Sequence, residues 1–348
     1  MKETNKKTIS NTIMLYIISI VKLILPLITL PYLTRILSEE SYGFVSYVKN
    51  CMTYMQLIID FGFILSSVKD IVKADGDRDK INAIAGNTIV AKCILSVASF
   101  AVLIVMIASI KILRIDILFV ILSFIAIFLT AFYGDFFFRG IEKMYFITII
   151  FLISKGISTI LTFMLIKDDS SIWLIPVLDI IANLISGVIS IVLIYKQGYK
   201  LKFSGFKDCL HTTKDSFTYF LSTVATTAFS ALNTLIIGIY ITDLVQVAHW
   251  SLCISIISAI QALYSPICNG IYPQMIRDKK LSFIHKVIKL FMPIVTVGCV
   301  LSFIFAPVAM EIVGGEKYVV AADLFRWLIP VLFFSFPAQV YGWPTLGR

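Results

Sequence analysis

Three lysines interrupt apolar runs long enough to cross a bilayer: Lys22 near the centre of residues 9–33, Lys49 in the next run and Lys155 in a later one. A charge at the middle of a spanning helix costs about 2.5–3.5 kcal/mol on insertion scales, so it faces a bundle interior or a wet cavity. A lysine ammonium is a compact point charge that suits phosphate oxygens. Several kept inside a membrane predict an anion held there. Asp60 and Asp179 stand in the same kind of run and are expected to couple an ion or to pair with the lysines.

Polar stripes at helical spacing surround these charges. Tyr42, Ser46, Lys49, Thr53, Gln56 and Asp60 recur every three or four residues, which puts them on one helix face. Thr12, Ser19, Pro26 and Thr29 flank Lys22; Thr148, Ser158, Thr159 and Thr162 accompany Lys155; Asn183, Ser186 and Ser190 follow Asp179. Later runs give Tyr219, Thr223, Thr226, Ser230 and Asn233, then Ser251, Ser255, Ser258, Ser265 and Asn269. Small hydroxyl residues also let helices pack closely, so a Ser/Thr stripe reads either as packing or as cavity lining. Packing has no use for the charges of Lys22, Lys49 and Asp60, although an intramembrane Lys–Asp pair would account for them.

With the first, second, seventh and eighth runs turned inward, these faces wall a hydrophilic cavity between two lobes, cationic on the first-lobe side. At 1.5 Å per residue, Lys22 lies about 20 Å from the cytoplasmic end of its helix and Lys49 about 10 Å below the external surface. The two stand at different depths of one path. A pyrophosphate-bearing lipid head fits such a cavity; a cationic drug does not.

The elements that must position these residues are membrane helices. Apolar residues make up 59% of the 348, charged residues 15%, and mean hydropathy is +0.92. Ten apolar stretches reach spanning length: about 9–34, 42–68, 83–110, 115–138, 145–166, 172–195, 216–241, 245–272, 287–310 and 320–345. Backbone groups cannot go unpaired in lipid and period-2 alternation is absent, so the fold class is all-α and polytopic. All ten prolines fall within or beside these stretches, as kinks that improve packing or that let helices bend.

The net charge of +9 could suggest nucleic acid, but its distribution argues for membrane orientation. With the amino terminus in the cytosol, the inner loops hold 18 Lys and Arg and the outer loops 5. That asymmetry predicts a cytosolic amino terminus, with loop lysines touching anionic headgroups. The first run is too long for a signal-peptide core and is expected to remain as an anchor. The six cysteines are scattered without metal or disulfide spacing and are read as packing residues. The hydrophilic stretch 196–215 divides residues 1–195, a six-helix lobe, from 216–348, which holds four helices. LSEESYGFVS (37–46) and TDLVQVAHWS (242–251) echo one another faintly, in the external turns that open each lobe. Internal repeats are the common plan of secondary transporters.

LPYLTRILSEESYGFVSYVKN (30–50), DFGF (60–63) and SSVKDI (66–71) resemble the start of Wzx-type polysaccharide flippases of the multidrug/oligosaccharidyl-lipid/polysaccharide superfamily. DFFFRGIEKM (135–144) resembles their fourth-to-fifth helix junction, with Phe136 where a tryptophan is usual; YSPICNGIYPQM (264–275) and GWPTLG (342–347) resemble later segments. The resemblance implies two six-helix lobes and movement of undecaprenyl-diphosphate-linked oligosaccharide to the outer leaflet of a bacterial plasma membrane, for O-antigen, capsule or a similar polymer. The sequence runs to the end of the tenth expected span, so four helices of a second lobe are expected within it.

In this reading the pyrophosphate meets Lys22, Lys49 and Lys155, and Ser46, Thr53, Gln56, Thr226, Ser230, Asn233, Ser255 and Ser258 line the cavity. No cofactor is expected beyond a proton or sodium gradient, and partners are the lipid-linked sugar, membrane lipids and a polysaccharide polymerase or other assembly proteins. A cation-coupled multidrug exporter of the same superfamily is the alternative, kept open by Asp60 and Asp179. A membrane polymerase or glycosyltransferase fits less well. The outer loops are short, and neither HExxH nor a nucleophile elbow occurs. Glu39–Glu40 and Asp168–Asp169 read as acids of solvated turns, and His211, His249 and His285 as structural.

Overall fold

The computed structural model describes residues 2–264 and 281–345, and their side chains outside 2–12, 15–16, 226–232, 281–284 and 342–345. The described residues are helical, with no strand among them. The helices are α1 (Lys2–Ile36), α2 (Glu39–Asp60), α3 (Phe63–Lys73), α4 (Arg78–Ser109), α5 (Ile117–Leu129), α6 (Asp135–Gly140), α7 (Met144–Leu165), α8 (Leu174–Lys196), α9 (Phe206–Tyr240), α10 (Leu244–Ala262), α11 (Leu281–Ile304), α12 (Ala306–Gly314) and α13 (Ala322–Thr345). Among the described residues, nine stretches are long and apolar enough to cross a membrane; α9 covers the remaining expected span. Large apolar side chains such as Val97 (72% exposed) and Leu118 (66% exposed) point outward, which suits lipid and would not suit water. This is an all-α polytopic membrane protein.

Three expected spans are broken within their length. Residues 42–68 fold as α2 and α3, parted by Phe61 (φ 40°) and Gly62 (φ 76°). The left-handed region is open to glycine and uncommon for phenylalanine. Gly62 is also needed for space, because a Cβ there would lie 2.7 Å from the Tyr219 Cβ and 2.8 Å from the Phe220 nitrogen. Residues 115–138 divide at a 3-10 turn, Thr130–Phe132, before α6. The 287–310 span passes from α11 to α12 with Pro307 in the first turn of α12, where its missing N–H costs nothing.

Acidic caps start two helices. The Asp77 carboxylate accepts from the Asp79 and Lys80 amides at the head of α4, and Asp116 accepts from the Phe119 amide at 2.9 Å at the head of α5. Asp77 is held below the usual carboxylate range, first by the Lys80 amide and then by the Lys80 ammonium.

The chain forms two compact units: residues 1–25 with 44–244, and residues 26–43 with 245–348. Their bounds differ from those of the lobes read from the sequence. In the first unit α9 packs on α3 and α4, and the 196–215 stretch is fastened to α4. The Lys200 amide donates to Asn82 Oδ1 at 2.7 Å, the Lys202 amide to the Asn82 carbonyl at 3.1 Å, and the Ser204 amide to Asn87 Oδ1 at 3.0 Å. The core of this unit gathers Ile71, Ile81, Ala85 and Ile89 around Phe136, Phe137 and Phe138.

In the second unit, the hairpin 26–43 is tied to the α12 end and to α10. Thr34 Oγ1 donates to the Val313 carbonyl at 2.8 Å and Arg35 Nη2 to the Ile312 carbonyl at 2.7 Å. The Lys317 ammonium donates to the Leu37 carbonyl, and His249 Nε2 lies 2.7 Å from Glu39 Oε1.

Candidate functional site

Helix α2 explains most of the site. Its Lys49, Thr53, Gln56 and Asp60 follow the four-three-four spacing of one face, and that face opens onto two neighbouring cavities within the first unit. One cavity, of about 500 Å³, is lined by Lys22 of α1, Thr53, Gln56 and Asp60, Lys92 of α4, Asp135 of α6, Lys155 of α7, Asn183 and Ser186 of α8, and Thr223 of α9. The other, of about 420 Å³, is lined by Lys49, Thr53, Gln56, Ser123 of α5, Lys155, Asp179 and Asn183. Thr53, Gln56, Thr130, Lys155 and Asn183 border both, so together they form a polar tract.

Among the described residues, four lysines and three aspartates line that tract, and their pairing is uneven. Lys92 Nζ lies 2.8 Å from Asp60 Oδ1, while Gln56 Nε2 donates to Asp60 Oδ2 at 2.9 Å and to Thr130 Oγ1 at 3.0 Å. Lys155 Nζ lies 2.9 Å from Asp179 Oδ1. Arg139, one turn along α6, holds Asp135 with Nε to Oδ1 at 2.5 Å. Each lining carboxylate therefore has its own cation. Among the described residues, Lys22 and Lys49 make no ion pair within contact distance. Lys22 sits 5.3 Å from the centre of the Phe151 ring, a cation–π approach, and Lys49 lines the same cavity as Asp179 and Lys155. The surplus positive charge thus belongs to the two lysines on α1 and α2.

The other residues expected at the site are spread more widely. Ser46 is half-buried on α2 and borders neither cavity. Asn233 is exposed on α9. Ser255 donates to the Ser251 carbonyl at 2.7 Å and Ser258 is exposed, both on α10 in the second unit. The side chains of Thr226 and Ser230 lie outside the described residues, as do Ser265, Asn269 and most of the 264–275 motif. Tyr42, at the head of the α2 stripe, packs edge-on against Tyr318 in the second unit, ring centroids 6.0 Å apart.

Three contributors escaped the sequence reading. Lys92 is buried in the middle of the third apolar run, where the criterion that singles out Lys22 applies equally. Asp135 and Arg139 lie in the DFFFRG segment at the fourth-to-fifth junction.

The model of a family described as polysaccharide biosynthesis protein matches residues 8–279. The chain belongs to that family. A protein of Shigella dysenteriae provisionally named an O-antigen transporter is 30% identical over 266 residues, covering 76% of this chain and 66% of that protein. One of Escherichia coli K12 bearing the same provisional name is 28% identical over 348 residues, covering 97% of this chain and 83% of that protein. The chain thus spans just under two thirds of the first relative's length. Among solved structures, an inward-facing multidrug resistance MATE family transporter of the MOP superfamily superposes with a TM-score of 0.59 at 15% identity, over 92% of this chain and 83% of that one. At that identity the likeness concerns the fold alone. In this member of the polysaccharide biosynthesis family, the α2 cavity tract offers a basic, partly aromatic enclosure within a helical membrane fold.

Proposed function

We propose that this protein is a flippase that carries undecaprenyl-diphosphate-linked oligosaccharide from the cytoplasmic to the outer leaflet of the bacterial plasma membrane, for surface polysaccharides such as O-antigen or capsule. The observation that carries this reading is the charge pattern of the tract: three aspartates each bonded to a cation, and Lys22 and Lys49 in no ion pair among the described residues. A diphosphate brings two adjacent anionic groups, which two uncommitted ammoniums would receive as charge-assisted hydrogen bonds. Lys155 and Lys92 would join by trading their carboxylates for phosphate. The hydroxyl and amide groups of Thr53, Gln56, Thr130 and Asn183 suit sugar hydroxyls. Among the described residues, a cationic drug would meet no uncommitted carboxylate in this tract, which favours the anionic substrate.

In this proposal the amino terminus is cytosolic, access alternates between the two faces, and the protein performs transport without making or breaking covalent bonds. Asp60, bonded to Lys92 and Gln56, and Asp179, bonded to Lys155, are the groups through which a proton or sodium gradient would act. A polysaccharide polymerase would take the delivered unit.

The direct test is translocation of lipid-linked oligosaccharide in proteoliposomes, read by accessibility of the sugar to an externally added lectin. Lys22→Ala and Lys49→Ala should each slow translocation roughly tenfold or more, since a hydrogen bond to a charged group contributes about 1.5–3 kcal/mol. Lys49→Arg should retain much of the rate. Undiminished translocation by both alanine variants at matched protein density would refute the assignment.

A further inference from the structure

The second unit has a cavity of its own, of about 910 Å³, between α11 and α13. Its walls are apolar, among them Cys299, Val300, Phe303, Trp327, Pro330 and Phe334, and its volume falls in the range of roughly 300–1,000 Å³ usual for small-molecule sites. Polar character is concentrated at Asp323 and Arg326, one turn apart on α13. Both belong to a membrane-spanning stretch, where an ionisable residue is a functional-site candidate.

Arg326 is fixed by the protein. Its Nη1 donates to Asp323 Oδ1 at 2.7 Å and its Nε to the Phe303 carbonyl at 3.2 Å, one of the last of α11 and so without an intrahelical donor. Its guanidinium centre stands 5.6 Å from the centre of the Phe303 ring. A guanidinium has five N–H donors, so these bonds leave others to offer. Asp323 is 82% exposed and keeps acceptor capacity. Trp327, on the next turn, is 83% exposed beside the apolar wall.

We propose that this groove binds a zwitterionic phospholipid of the phosphoethanolamine class. The phosphate meets Arg326, the ammonium meets Asp323, and one acyl chain lies along Val300, Pro330 and Phe334. Charge complementarity decides the headgroup. An anionic headgroup would satisfy Arg326 but face the Asp323 carboxylate; a cationic one would reverse the conflict. A headgroup with a phosphate and a hydrogen-bonding ammonium answers both. The proposal uses the membrane-spanning fold and does not depend on what the first unit transports.

The test is native mass spectrometry of the full chain from nanodiscs holding equal phosphatidylethanolamine and phosphatidylglycerol, followed by graded delipidation. One phosphatidylethanolamine should be retained roughly tenfold in preference to phosphatidylglycerol, the factor expected from one charge-assisted hydrogen bond. Arg326→Gln should abolish that retention. Asp323→Asn, a conservative change at an exposed carboxylate, should turn the preference toward phosphatidylglycerol while leaving helicity unchanged. Equal retention of the two lipids, an undiminished preference in Asp323→Asn, or a lipid-free protein dimer would overturn the proposal.

A second measurement locates the lipid. With Trp173, Trp250 and Trp343 changed to Phe, chain-brominated phosphatidylethanolamine should quench Trp327 fluorescence more than chain-brominated phosphatidylglycerol at the same mole fraction. Equal quenching counts against the site.

Discussion

Lys155 and Asp179 form a pair whose side chains are each about one third exposed. In a fully buried pair, removing one partner costs about 3–5 kcal/mol because a bare charge remains; at an exposed site the pair contributes about 0–1 kcal/mol. This site lies between those limits, so Lys155→Ala should destabilise the protein by about 1–3 kcal/mol. The double change Lys155→Met with Asp179→Leu should recover most of that loss, and thermal unfolding in detergent would show it. A double variant no better than Lys155→Ala would mean that the pair is not what holds the two side chains. The charges themselves were legible in the sequence, since a lysine in an apolar run is conspicuous at any depth. Their pairing was not. Asp60 and Lys92 are 32 residues apart on different helices, and periodicity along one helix carries no information about the face that meets it. Lys22 and Lys49, which make no ion pair among the described residues, owe their distinction to the same cause, because pairing is a property of the packed bundle.

At the level of elements, the strap between α8 and α9 depends on close approach to α4. A Cβ on Gly86 would fall 2.2 Å from the Lys202 carbonyl oxygen, a backbone atom that cannot swing aside. In a helix interior alanine is favoured over glycine by about 0.8–1.0 kcal/mol, while overpacking costs about 1–3 kcal/mol. The steric loss wins, so Gly86→Ala should lower stability and raise amide exchange across 198–205. Faster exchange confined to α4 would contradict this account.

The cap of α4 gives a pH-dependent counterpart. Folding depresses the Asp77 carboxyl, so its contribution is present above the ordinary value of about 3.9 and is lost as pH falls through the lower folded value. Asp77→Asn can still accept the amides but cannot titrate. It should therefore flatten this acid limb of a stability profile, and an unchanged limb would place the titration elsewhere. Nine of the ten expected spans were readable from apolar length, although the break at Phe61–Gly62 was not. There Gly62 passes close to Tyr219 and Phe220, more than 150 residues away in the chain, a contact that no local pattern announces.

At the scale of the whole molecule, the residues 26–43 join the second unit although their neighbours on both sides belong to the first. A division placed in the longest hydrophilic segment could not anticipate this, because the strap there is bonded down and the hairpin is held by contacts distant in sequence. Thr34 and Arg35 donate to the carbonyls of Val313 and Ile312, near the carboxyl end of α12, where helix carbonyls lack intrahelical donors. Thr34 is fully buried, so replacing it with valine leaves the Val313 carbonyl short of a donor, at a cost of about 1–3 kcal/mol. Segments that share such bonds should open together as one cooperative unit. The double variant Thr34→Val with Arg35→Ala should therefore lose amide protection in 26–43 and 306–318 in parallel, while residues 78–90 of α4 keep theirs. Hydrogen exchange resolved by mass spectrometry distinguishes this from the opposite grouping. If protection fell in 26–43 and 44–60 but not in 306–318, the hairpin would belong to α2 and the first unit, and its bonds to α12 would be incidental.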